Sequence, residues 1–426
     1  MMENRYDKYK DSGIAWIGEI PEHWKVKKLG HLYIPRNEKV SDQDYPALSV
    51  TMQGVLLQLE NVAKTNDGDN RKLVKIGDFA INSRSDRRGS CGISKYDGSV
   101  SLINTVLIPI NDMNPVFYEW LFHSSLFSDE YYRWGHGIVN DLWTTKWQEM
   151  KNIQIVAPPL QEQQSIATYL DQKCGEIDEL ITLQEEMITK LQSYKQSVIT
   201  EAVTKGLDKN VPLKDSGIEW IGEIPEHWIC TVFKRFLLEP MQYGANEPAE
   251  ECNYYDPRYI RITDIKDDGT LRDDTFKSLP LGKAKEYMLT KGDLLFARSG
   301  ATVGKTFLYK EDYAACFAGY LIKARCNKNK LVPNFVFYYT LSNVYQNWKN
   351  SIFIQSTIQN IGADKYSVMP IIVPPLSEQQ AIADYLNQRC SEIDELISIK
   401  QQKIEKLKEY KKSLIFECVT GKRKVS

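Results

Sequence analysis

The segment "PPLQEQQSIATYLDQKCGEIDELI", from Pro158 to Ile181, recurs 216 residues later as "PPLSEQQAIADYLNQRCSEIDELI", from Pro374 to Ile397. Eighteen of the 24 aligned positions are identical. Proline biases the residue before it away from helical angles. No further proline follows until Pro212 in the first copy, and none follows in the second. Each copy therefore predicts one helix of about 40–45 residues, roughly 60–65 Å long at 1.5 Å per residue.

The two predicted helices share a stripe of apolar residues whose spacing alternates between three and four, which is typical of a heptad seam. The seam residues are Ile177, Ile181, Ile188, Leu191, Val198, Ile393, Ile397, Ile404, Leu407 and Leu414. A helix this long cannot bury its stripe against one small domain, so we expect the two copies to pair with each other. The duplication favours antiparallel pairing about a pseudo-two-fold axis. The alternative is that each helix packs only on its own globular neighbour.

A second repeat divides the chain further. The phrase "DSGIAWIGEIPEHW" starts at Asp11 and "DSGIEWIGEIPEHW" starts at Asp215, and the two copies differ at one position. A chain of 426 residues is too long for one hydrophobic core. We therefore expect two different heads, each opened by this phrase and followed by a helix. The predicted segments are residues 1–157 (first head), 158–210 (first spacer helix), 211–373 (second head) and 374–426 (second spacer helix).

The apolar residues of the opening phrase are predicted to anchor the edge of each head. They are Trp16, Ile20 and Trp24 in the first copy and Trp220, Ile224 and Trp228 in the second. His23 and His227 stand beside a tryptophan, without a nucleophile or a second base nearby in the sequence. We therefore expect a structural role for both histidines rather than a catalytic one.

Composition and charge indicate a cytoplasmic protein of several domains. Hydrophobic residues make up 42% of the chain, yet no apolar run approaches the length of a membrane span, and the first residues lack the apolar core of an export signal. The eight cysteines are scattered without a Cys-x-x-Cys pair, which favours reduced thiols over a disulfide frame or a zinc site. Residues 25–157 contain sixteen basic and fifteen acidic side chains, whereas residues 229–373 contain nineteen and fifteen. This tilt is compatible with a polyanionic partner.

Both heads contain a short apolar segment followed by a loop rich in glycine, serine and basic residues. In the first head "KIGD" (75–78) leads through "FAIN" to "SRSDRRGSCGIS", and in the second "KGD" (291–293) leads through "LLFA" to "RSGATVGKT". Small residues let a backbone approach phosphates, and guanidinium groups bind phosphate or guanine bidentately. Because the arrangement occurs in both heads, we favour nucleic-acid contact over a hairpin loop with solvated charges. The candidate DNA-binding residues are Arg84, Ser85, Arg87, Arg88, Arg298, Ser299, Thr302 and Lys305.

The segment before each long helix is a second candidate surface. The first head has "GHGIVNDLWTTKW" and the second has "SIFIQSTIQNIGADKY" there. These segments contain residue types suited to bases and phosphates, although the same residues suit helix caps and cores equally well. The candidates are Trp143, Lys146, Gln355, Thr357 and Gln359.

Enzyme signatures are missing from the sequence. The stretch "SGATVGKT" resembles a nucleotide-binding loop, but Ser299 occupies the position where that pattern requires glycine. No Gly-x-Ser-x-Gly, His-Glu-x-x-His or Asn-Pro-Pro-aromatic motif occurs. We therefore expect a chain that has no metal site and is not catalytic.

Two variable heads and two copies of "PPLxEQQxIAxYLxQxCxEIDELI" on long helices resemble the specificity subunit of type I restriction–modification systems, over essentially the whole chain. The residues that match this family's spacer openings are Pro158–Leu160, Glu162–Gln164, Pro374–Leu376 and Glu378–Gln380. Residues 298–305 stand where the family has its head loop, and the first head's loop is about three residues longer. The resemblance implies a mixed α/β (α+β) fold for each head, with a coiled-coil spacer of two antiparallel helices.

The resemblance also implies a function and a set of partners. Each head would recognise one half of a bipartite DNA sequence, and the helices would set the gap and dock two modification subunits. Those subunits would methylate adenine N6 with S-adenosylmethionine, and restriction subunits that use ATP and Mg²⁺ would join them in a bacterial or archaeal cytoplasm. Heads on one face of B-DNA would contact half-sites roughly 10 bp apart, centre to centre. The competing hypotheses are a coiled-coil scaffold with two protein-binding heads and an enzyme whose site is too diffuse to recognise.

Overall fold

The computed structural model describes residues 5–58, 68–110, 113–137, 143–249, 252–266, 269–300, 302–354 and 360–425. The chain forms two compact units, one of residues 1–185 with 401–426 and one of residues 186–400. Each unit joins one head to parts of both long helices, whereas the predicted segment boundaries separate heads from helices. Those boundaries stay predictions.

The first unit consists mainly of short antiparallel strands followed by helices. Its elements are β1 (Tyr9–Asp11), β2 (Glu19–Pro21), β3 (Lys25–Lys28), β4 (Tyr33–Pro35), β5 (Lys39–Val40), β6 (Leu48–Thr51), β7 (Gly54–Leu57), β8 (Arg71–Val74), β9 (Phe79–Asn82), β10 (Cys91–Ile93), β11 (Gly98–Val100), β12 (Asn104–Pro109), α1 (Pro115–His123), α2 (Ser125–Arg133), α3 (Trp147–Met150), β13 (Gln154–Ala157) and the first part of α4 (Leu160–Lys205). The largest sheet has the order β10-β9-β12-β4, and smaller sheets are β11-β8-β5, β6-β7, β1-β2 and β13-β3.

The second unit repeats much of this plan. Its elements are β14 (Leu213–Asp215), β15 (Glu223–Pro225), β16 (Ile229–Val232), β17 (Gln242–Tyr243), β18 (Arg258–Ile260), α5 (Leu281–Ala284), β19 (Leu294–Ala297), β20 (Thr306–Leu308), β21 (Ala315–Phe317), β22 (Leu321–Ala324), α6 (Pro333–Leu341), α7 (Asn343–Ile354), α8 (Ala363–Ser367), β23 (Pro370–Val373) and the first part of α9 (Leu376–Val419). Its four-stranded sheet, β20-β19-β22-β17, has the same order as β10-β9-β12-β4. The heads therefore share a mixed α/β fold.

In each unit the strand after the opening phrase pairs with the strand before the long helix. Strand β3 pairs antiparallel with β13, placing Val26 opposite Val156. Strand β16 pairs with β23 in the same way, placing Cys230 opposite Ile372. The two ends of each head are thus held together, and both prolines before each long helix follow directly from this ribbon.

The tryptophan and histidine of the opening phrase bind the first turn of the long helix. Trp24 Nε1 donates to Glu162 Oε2 at 3.0 Å, and His23 Nε2 lies 2.6 Å from Glu162 Oε1. In the second unit Trp228 Nε1 donates to Glu378 Oε2 at 2.9 Å, with His227 Nε2 2.8 Å from Oε1. The repeated glutamate therefore binds both side chains at once, which gives the two histidines a structural contact.

The repeated glutamine that follows is buried and satisfies backbone groups of the head. Gln163 accepts a hydrogen bond from Asn114 N at 2.8 Å and donates to Pro158 O at 2.7 Å. Gln379 accepts from Val332 N at 2.8 Å and donates to Pro374 O at 2.8 Å. Buried backbone groups need such partners, so the "EQQ" letters orient each helix on its head.

The anchoring role is confirmed for Trp24, Ile20, Trp228 and Ile224, which are fully buried. It is wrong for Trp220, whose side chain is 39% exposed. The equivalent Trp16 is partly buried, with its ring 6.2 Å from that of Phe127 at the centroids. The first head offers an aromatic neighbour at this position, and the second leaves its tryptophan at the surface.

Each opening phrase also contacts the end of a long helix. In the first unit a Cβ on Gly421, just after α9 ends, would lie 3.1 Å from the Trp24 ring. Tyr9, two residues before the phrase, also donates from Oη to Gly421 O at 3.1 Å. In the second unit a Cβ on Gly206, just after α4 ends, would lie 3.0 Å from the Trp228 ring. Both glycines have φ near +75°, at 72° and 78°, a conformation that ends helices and favours glycine. The last turn of one helix thus meets the same phrase in both units.

Within each unit the two long helices form matching ion pairs. Lys411 of α9 binds Asp178 of α4 at 2.7 Å in the first unit. Lys195 of α4 binds Asp394 of α9 at 2.7 Å in the second. Among the predicted seam residues, Ile177, Val198, Ile393, Ile404 and Leu414 are buried and the others are partly buried. No helix in the described part of the chain is both long and apolar enough to cross a lipid bilayer.

We expect the Glu162→Gln variant to lose about 2 kcal/mol of unfolding free energy at pH 7, because hydrogen bonds to an ionised group are stronger than neutral ones. Burial opposes ionisation of Glu162, but hydrogen bonds from Trp24, Tyr6 and His23 outweigh it and lower its pKa below the ordinary 4.5. A carboxylate of lowered pKa stabilises the fold above its unfolded pKa and loses this effect as pH falls through the folded value. The difference between wild type and variant should therefore shrink below about pH 4.5, as checked by urea unfolding at several pH values.

The matched control is Glu179→Gln on the same helix, where the side chain is exposed. Its unfolding free energy should follow wild type throughout the pH range. A difference between wild type and Glu162→Gln that is the same at pH 3.5 and pH 7 would contradict the ionised contact.

Candidate nucleic-acid interface

In the first head the structure brings the basic loop and the segment before the long helix together. The loop leaves β9, and Arg84 forms a β-bridge with Thr144. Thr145 N donates to Ser83 O at 3.0 Å, beside that bridge. The two surfaces that were predicted separately therefore form one continuous surface.

The second head makes the same arrangement with different residues. Ser299, after β19, forms a β-bridge with Asn360. Ile361 N donates to Arg298 O at 2.8 Å. Because the pairing recurs in two heads whose loops differ in length and sequence, it is a property of the fold rather than of one loop.

An arginine stacks on a tyrosine in each of these surfaces. The guanidinium carbon of Arg88 lies 4.7 Å from the centre of the Tyr132 ring. The guanidinium carbon of Arg298 lies 4.9 Å from the centre of the Tyr243 ring. Stacking holds a guanidinium plane in place without using its N–H groups. The N–H edges then remain available for carboxylate, phosphate or base oxygens.

The first loop is fastened to the head through backbone groups. Tyr132 Oη donates to Arg84 O at 2.7 Å, and Trp143 Nε1 donates to Tyr132 O at 2.8 Å. Burial raises the pKa of Tyr132 to about 12, so its hydroxyl remains a donor at neutral pH. The indole N–H of Trp143 is used inside the head, which leaves its ring, and not its donor, for a ligand.

The arginines of the first loop are all paired with carboxylates. Arg84 Nε lies 3.1 Å from Asp86, and Arg87 Nε lies 3.8 Å from the same side chain. Arg88 Nη1 lies 3.1 Å from Asp129, on α2. These groups are largely exposed, so each pair contributes little to folding, and the arginines can exchange partners.

The second loop is a tight hairpin between β19 and β20. Ala297 N donates to Lys305 O at 2.8 Å, and Gly304 N donates to Ala297 O at 3.0 Å. Gly300 and Gly304 have φ of 77° and 86°, a region that favours glycine. Tyr345, on α7, donates from Oη to Gly304 O at 2.8 Å. The glycines of "SGATVGKT" therefore serve a turn between strands, which agrees with the rejection of a nucleotide-binding loop.

The remaining candidates are placed as follows. Lys146 is exposed at the start of α3 and lines a cavity of about 310 Å³ with Thr144 and Lys72. Thr302 is partly buried, and its carbonyl accepts from Lys305 N at 2.9 Å. The side chain of Ser85 and the whole of Gln355, Thr357 and Gln359 lie outside the described residues.

Each loop follows a strand, and the turn before that strand contains a buried aspartate that stabilises it. Asp78 accepts from Arg36 at 2.6 and 3.1 Å and from Lys75 N at 2.8 Å. Asp293 accepts from Arg325 at 2.8 and 2.7 Å and from Thr290 N at 2.8 Å. The aspartate of each "GD" pair thus forms a buried ion pair with an arginine. That arginine precedes the aspartate in the sequence of the first head and follows it in the second head.

Sequence reasoning missed Tyr132, Tyr243 and Lys349 at this surface. Lys349, on α7, is partly buried, and its side chain occupies the space where a Cβ on Gly304 would stand. Burial lowers the pKa of Lys349. No sequence pattern identifies these three residues, because each joins the loop from another element of the head. Within the described part of the chain, no group of three or more His, Cys, Asp or Glu side chains is arranged to hold a metal ion.

Comparisons with known proteins agree with this geometry. The family profile described as "Type I restriction modification DNA specificity domain" matches residues 21–192 and 244–409. The type I restriction enzyme MjaVIII specificity subunit of Methanocaldococcus jannaschii is 25% identical over 424 residues, covering 95% of this chain and 94% of that protein. The type I restriction enzyme EcoKI specificity subunit of Escherichia coli is 24% identical over 246 residues, covering 55% of this chain and 50% of that protein.

Two solved structures have a similar fold. One, described as showing complex assembly and conformational transition of the type I R-M system, has a TM-score of 0.73 at 16% identity, and 94% of this chain and 98% of that chain are covered. The other is the HsdS subunit from Thermoanaerobacter tengcongensis, with a TM-score of 0.52 at 18% identity and the same coverage. At such identities these structures support the fold alone.

Proposed function

The chain belongs to the type I restriction modification DNA specificity family, and from this membership we propose that each head recognises one half of a bipartite DNA target through the surface formed by its loop and its pre-helix segment. The observation that carries the proposal is the recurrence of that surface. Arg84 pairs with Thr144 in one head, and Ser299 pairs with Asn360 in the other.

The chemistry of the two surfaces suits duplex DNA. Each has an arginine stacked on a tyrosine, Arg88 in the first head and Arg298 in the second. A guanidinium held in a plane can bind guanine O6 and N7 together, which is the commonest specific contact in the major groove. Lys146, Lys305 and Lys349 would add phosphate contacts, which position the protein on DNA without specifying sequence.

The long helices would form the coiled-coil spacer between the two recognition surfaces. Lys411 binds Asp178 and Lys195 binds Asp394. In both pairs one helix contributes a residue from its first half and the other a residue from its second half, which supports antiparallel pairing about a pseudo-two-fold axis. Such a pair would set the distance between half-sites by its length.

We expect insertion of one heptad into both spacer helices, after Glu186 and after Gln402, to lengthen the gap between half-sites by about three base pairs. Seven helical residues rise about 10.5 Å, and B-DNA rises about 3.4 Å per base pair. The half-site sequences should not change, because the heads are untouched. Sequencing of methylated adenines in cells that carry the variant measures both, and an unchanged gap would remove the ruler function.

The spacer would also dock two modification subunits. The exposed apolar residues of α4 and α9 include two equivalent sets, one in each compact unit. The first unit has Leu180, Leu183 and Tyr410, and the second has Leu396, Ile399 and Tyr194 at positions offset by 216 residues. Exposed apolar patches mark interaction sites when they recur on a surface. Two equal patches would suit two copies of one partner.

On this proposal the chain itself is not catalytic. The modification subunits would supply S-adenosylmethionine and the methyl transfer to adenine N6. Restriction and translocase subunits would supply ATP and Mg²⁺ chemistry. The chain's own residues would bind and orient the DNA, and it would act in the cytoplasm without a membrane partner.

The experiment that tests the proposal is single-molecule sequencing of adenine methylation in host DNA, with the gene intact and with it deleted. The expected result is a bipartite motif with an unspecified gap whose methylation disappears on deletion. The deletion strain should regain methylation when the intact gene is returned. Unchanged methylation in all three strains would contradict the proposed function.

A further inference from the structure

The candidate DNA-binding surfaces of the two heads differ in whether their basic side chains form ion pairs. In the first head, Arg84 and Arg87 lie 3.1 and 3.8 Å from Asp86, and Arg88 lies 3.1 Å from Asp129. Every arginine of that loop therefore already has a carboxylate partner. A DNA phosphate that approaches the loop must compete with one of these two aspartates.

Among the residues that the structure describes, two cations beside the loop of the second head have no carboxylate partner. The guanidinium of Arg298 is stacked on the Tyr243 ring and forms no ion pair within the described part of the chain. The side chain of Lys349 is partly buried, with its Cδ and Cγ beside Gly304, and it likewise has no ion pair with any residue that the structure describes. A partly desolvated cation without an anion is costly, and a phosphate would supply that anion.

The charge of the two variable segments differs in the same direction. Residues 229–373 carry nineteen basic and fifteen acidic side chains, whereas residues 25–157 carry sixteen and fifteen. The second head therefore has the larger positive excess, in addition to Arg298 and Lys349, which form no ion pair with any residue that the structure describes.

We propose that Asp86 and Asp129 compete with DNA phosphates for the arginines of the first head, so that the second head supplies the salt-dependent affinity and makes the first contact with DNA. The inference rests on the proposed function, because it assumes that both loops face DNA. The first head would then engage only where the correct half-site compensates for the exchange of ion pairs. Non-specific DNA would be held by the second head alone.

The test is the salt dependence of DNA binding by the full-length chain. Fluorescence anisotropy with a labelled 40-bp duplex of random sequence, in KCl from about 50 to 300 mM, gives the slope of log K against log salt. That slope changes by about 0.9 for each phosphate contact made or lost. For two contacts the slope changes by about 1.8, which corresponds to about 30-fold in affinity at 0.15 M relative to 1 M salt.

We expect the double variant Arg298→Gln and Lys349→Gln to have a slope shallower by about 1.8 and to bind roughly 30-fold more weakly at 0.15 M KCl. The double variant Asp86→Asn and Asp129→Asn should have a steeper slope and bind more tightly, by up to the same factor. Glu176→Gln is the matched control, since it also removes one exposed carboxylate that is ion-paired, to Lys173 at 2.7 Å. It should bind as wild type does.

A cycle with Arg88→Gln isolates the competition. In the wild-type background this change should alter non-specific affinity less than twofold, because Asp129 occupies the arginine. In the Asp129→Asn background the same change should cost about fivefold, the effect of one phosphate contact at 0.15 M relative to 1 M salt. Thermal unfolding of each variant shows whether it is folded, and all the substituted side chains except Arg298 and Lys349 are exposed.

The outcomes separate this inference from the proposed function. Equal effects of Arg88→Gln in both backgrounds, or unchanged binding by the double aspartate variant, would overturn the inference and leave DNA recognition standing. A wild-type chain that binds DNA without salt dependence would overturn both. Loss of binding confined to the Arg298 and Lys349 variant, with a gain in the aspartate variant, is the supporting result.

Discussion

Replacing Asp293 by alanine should lower the unfolding free energy of the second head by about 3 kcal/mol, because breaking a buried ion pair leaves an uncompensated charge. Asp293 is only 1% exposed and accepts from Arg325 Nε and Nη2 at 2.8 and 2.7 Å. It also accepts from Thr290 N at 2.8 Å, so the turn before β19 loses its support as well. Urea unfolding followed by circular dichroism measures the change.

The control for this prediction is Asp312→Ala in the same head. Asp312 forms an ion pair with Lys291 at 2.9 Å, but its side chain is 90% exposed. Exposed pairs contribute about 0–1 kcal/mol, so the variant should unfold close to wild type. Equal losses for the two variants would show that burial of Asp293 has no role. Asp78→Ala should repeat the large loss in the first head, where Asp78 is bound to Arg36.

On the proposed docking of two modification subunits, placing a charge on one exposed apolar patch should remove one of them from the assembled complex. We expect Leu183→Asp to weaken docking at the first patch at least about a hundredfold, since a carboxylate buried without a partner costs several kcal/mol. Leu183 is 51% exposed, so the change should leave the chain itself folded. Native mass spectrometry of the purified complex would then show one modification subunit per chain instead of two.

The second patch contains the residue equivalent to Leu183, which is Ile399. Ile399→Asp should remove the other subunit, and the variant with both changes should carry none. Thr182→Asp is the matched control, because it adds the same charge to the neighbouring exposed position of α4. It should retain both subunits. Two subunits on the Leu183→Asp chain would show that docking uses another surface.

Several features of the candidate site could be predicted from the sequence. The loops of both heads were identified from glycines and basic residues, and the segments before the helices from residue types suited to bases and phosphates. The β-bridges that join each loop to its pre-helix segment, Arg84 with Thr144 and Ser299 with Asn360, could not be predicted. The two partners are about sixty residues apart in each head. The competing carboxylate had a visible signal: Asp86 interrupts the basic run "SRSDRR". The stacking tyrosines had none.

The sequence by itself determined the duplicated plan, the two long helices and their family. These features rest on local chemistry: prolines that precede a helix, glycines that end it, and apolar spacing that repeats every seven residues. Only the tertiary structure determined which groups the polar residues of the repeated segments bind. Glu162 meets Trp24 from 138 residues away, and Tyr9 meets Gly421 from 412 residues away. Such contacts depend on where strands and helices bring side chains together. Residues that meet across a fold in this way follow no periodic pattern in the sequence.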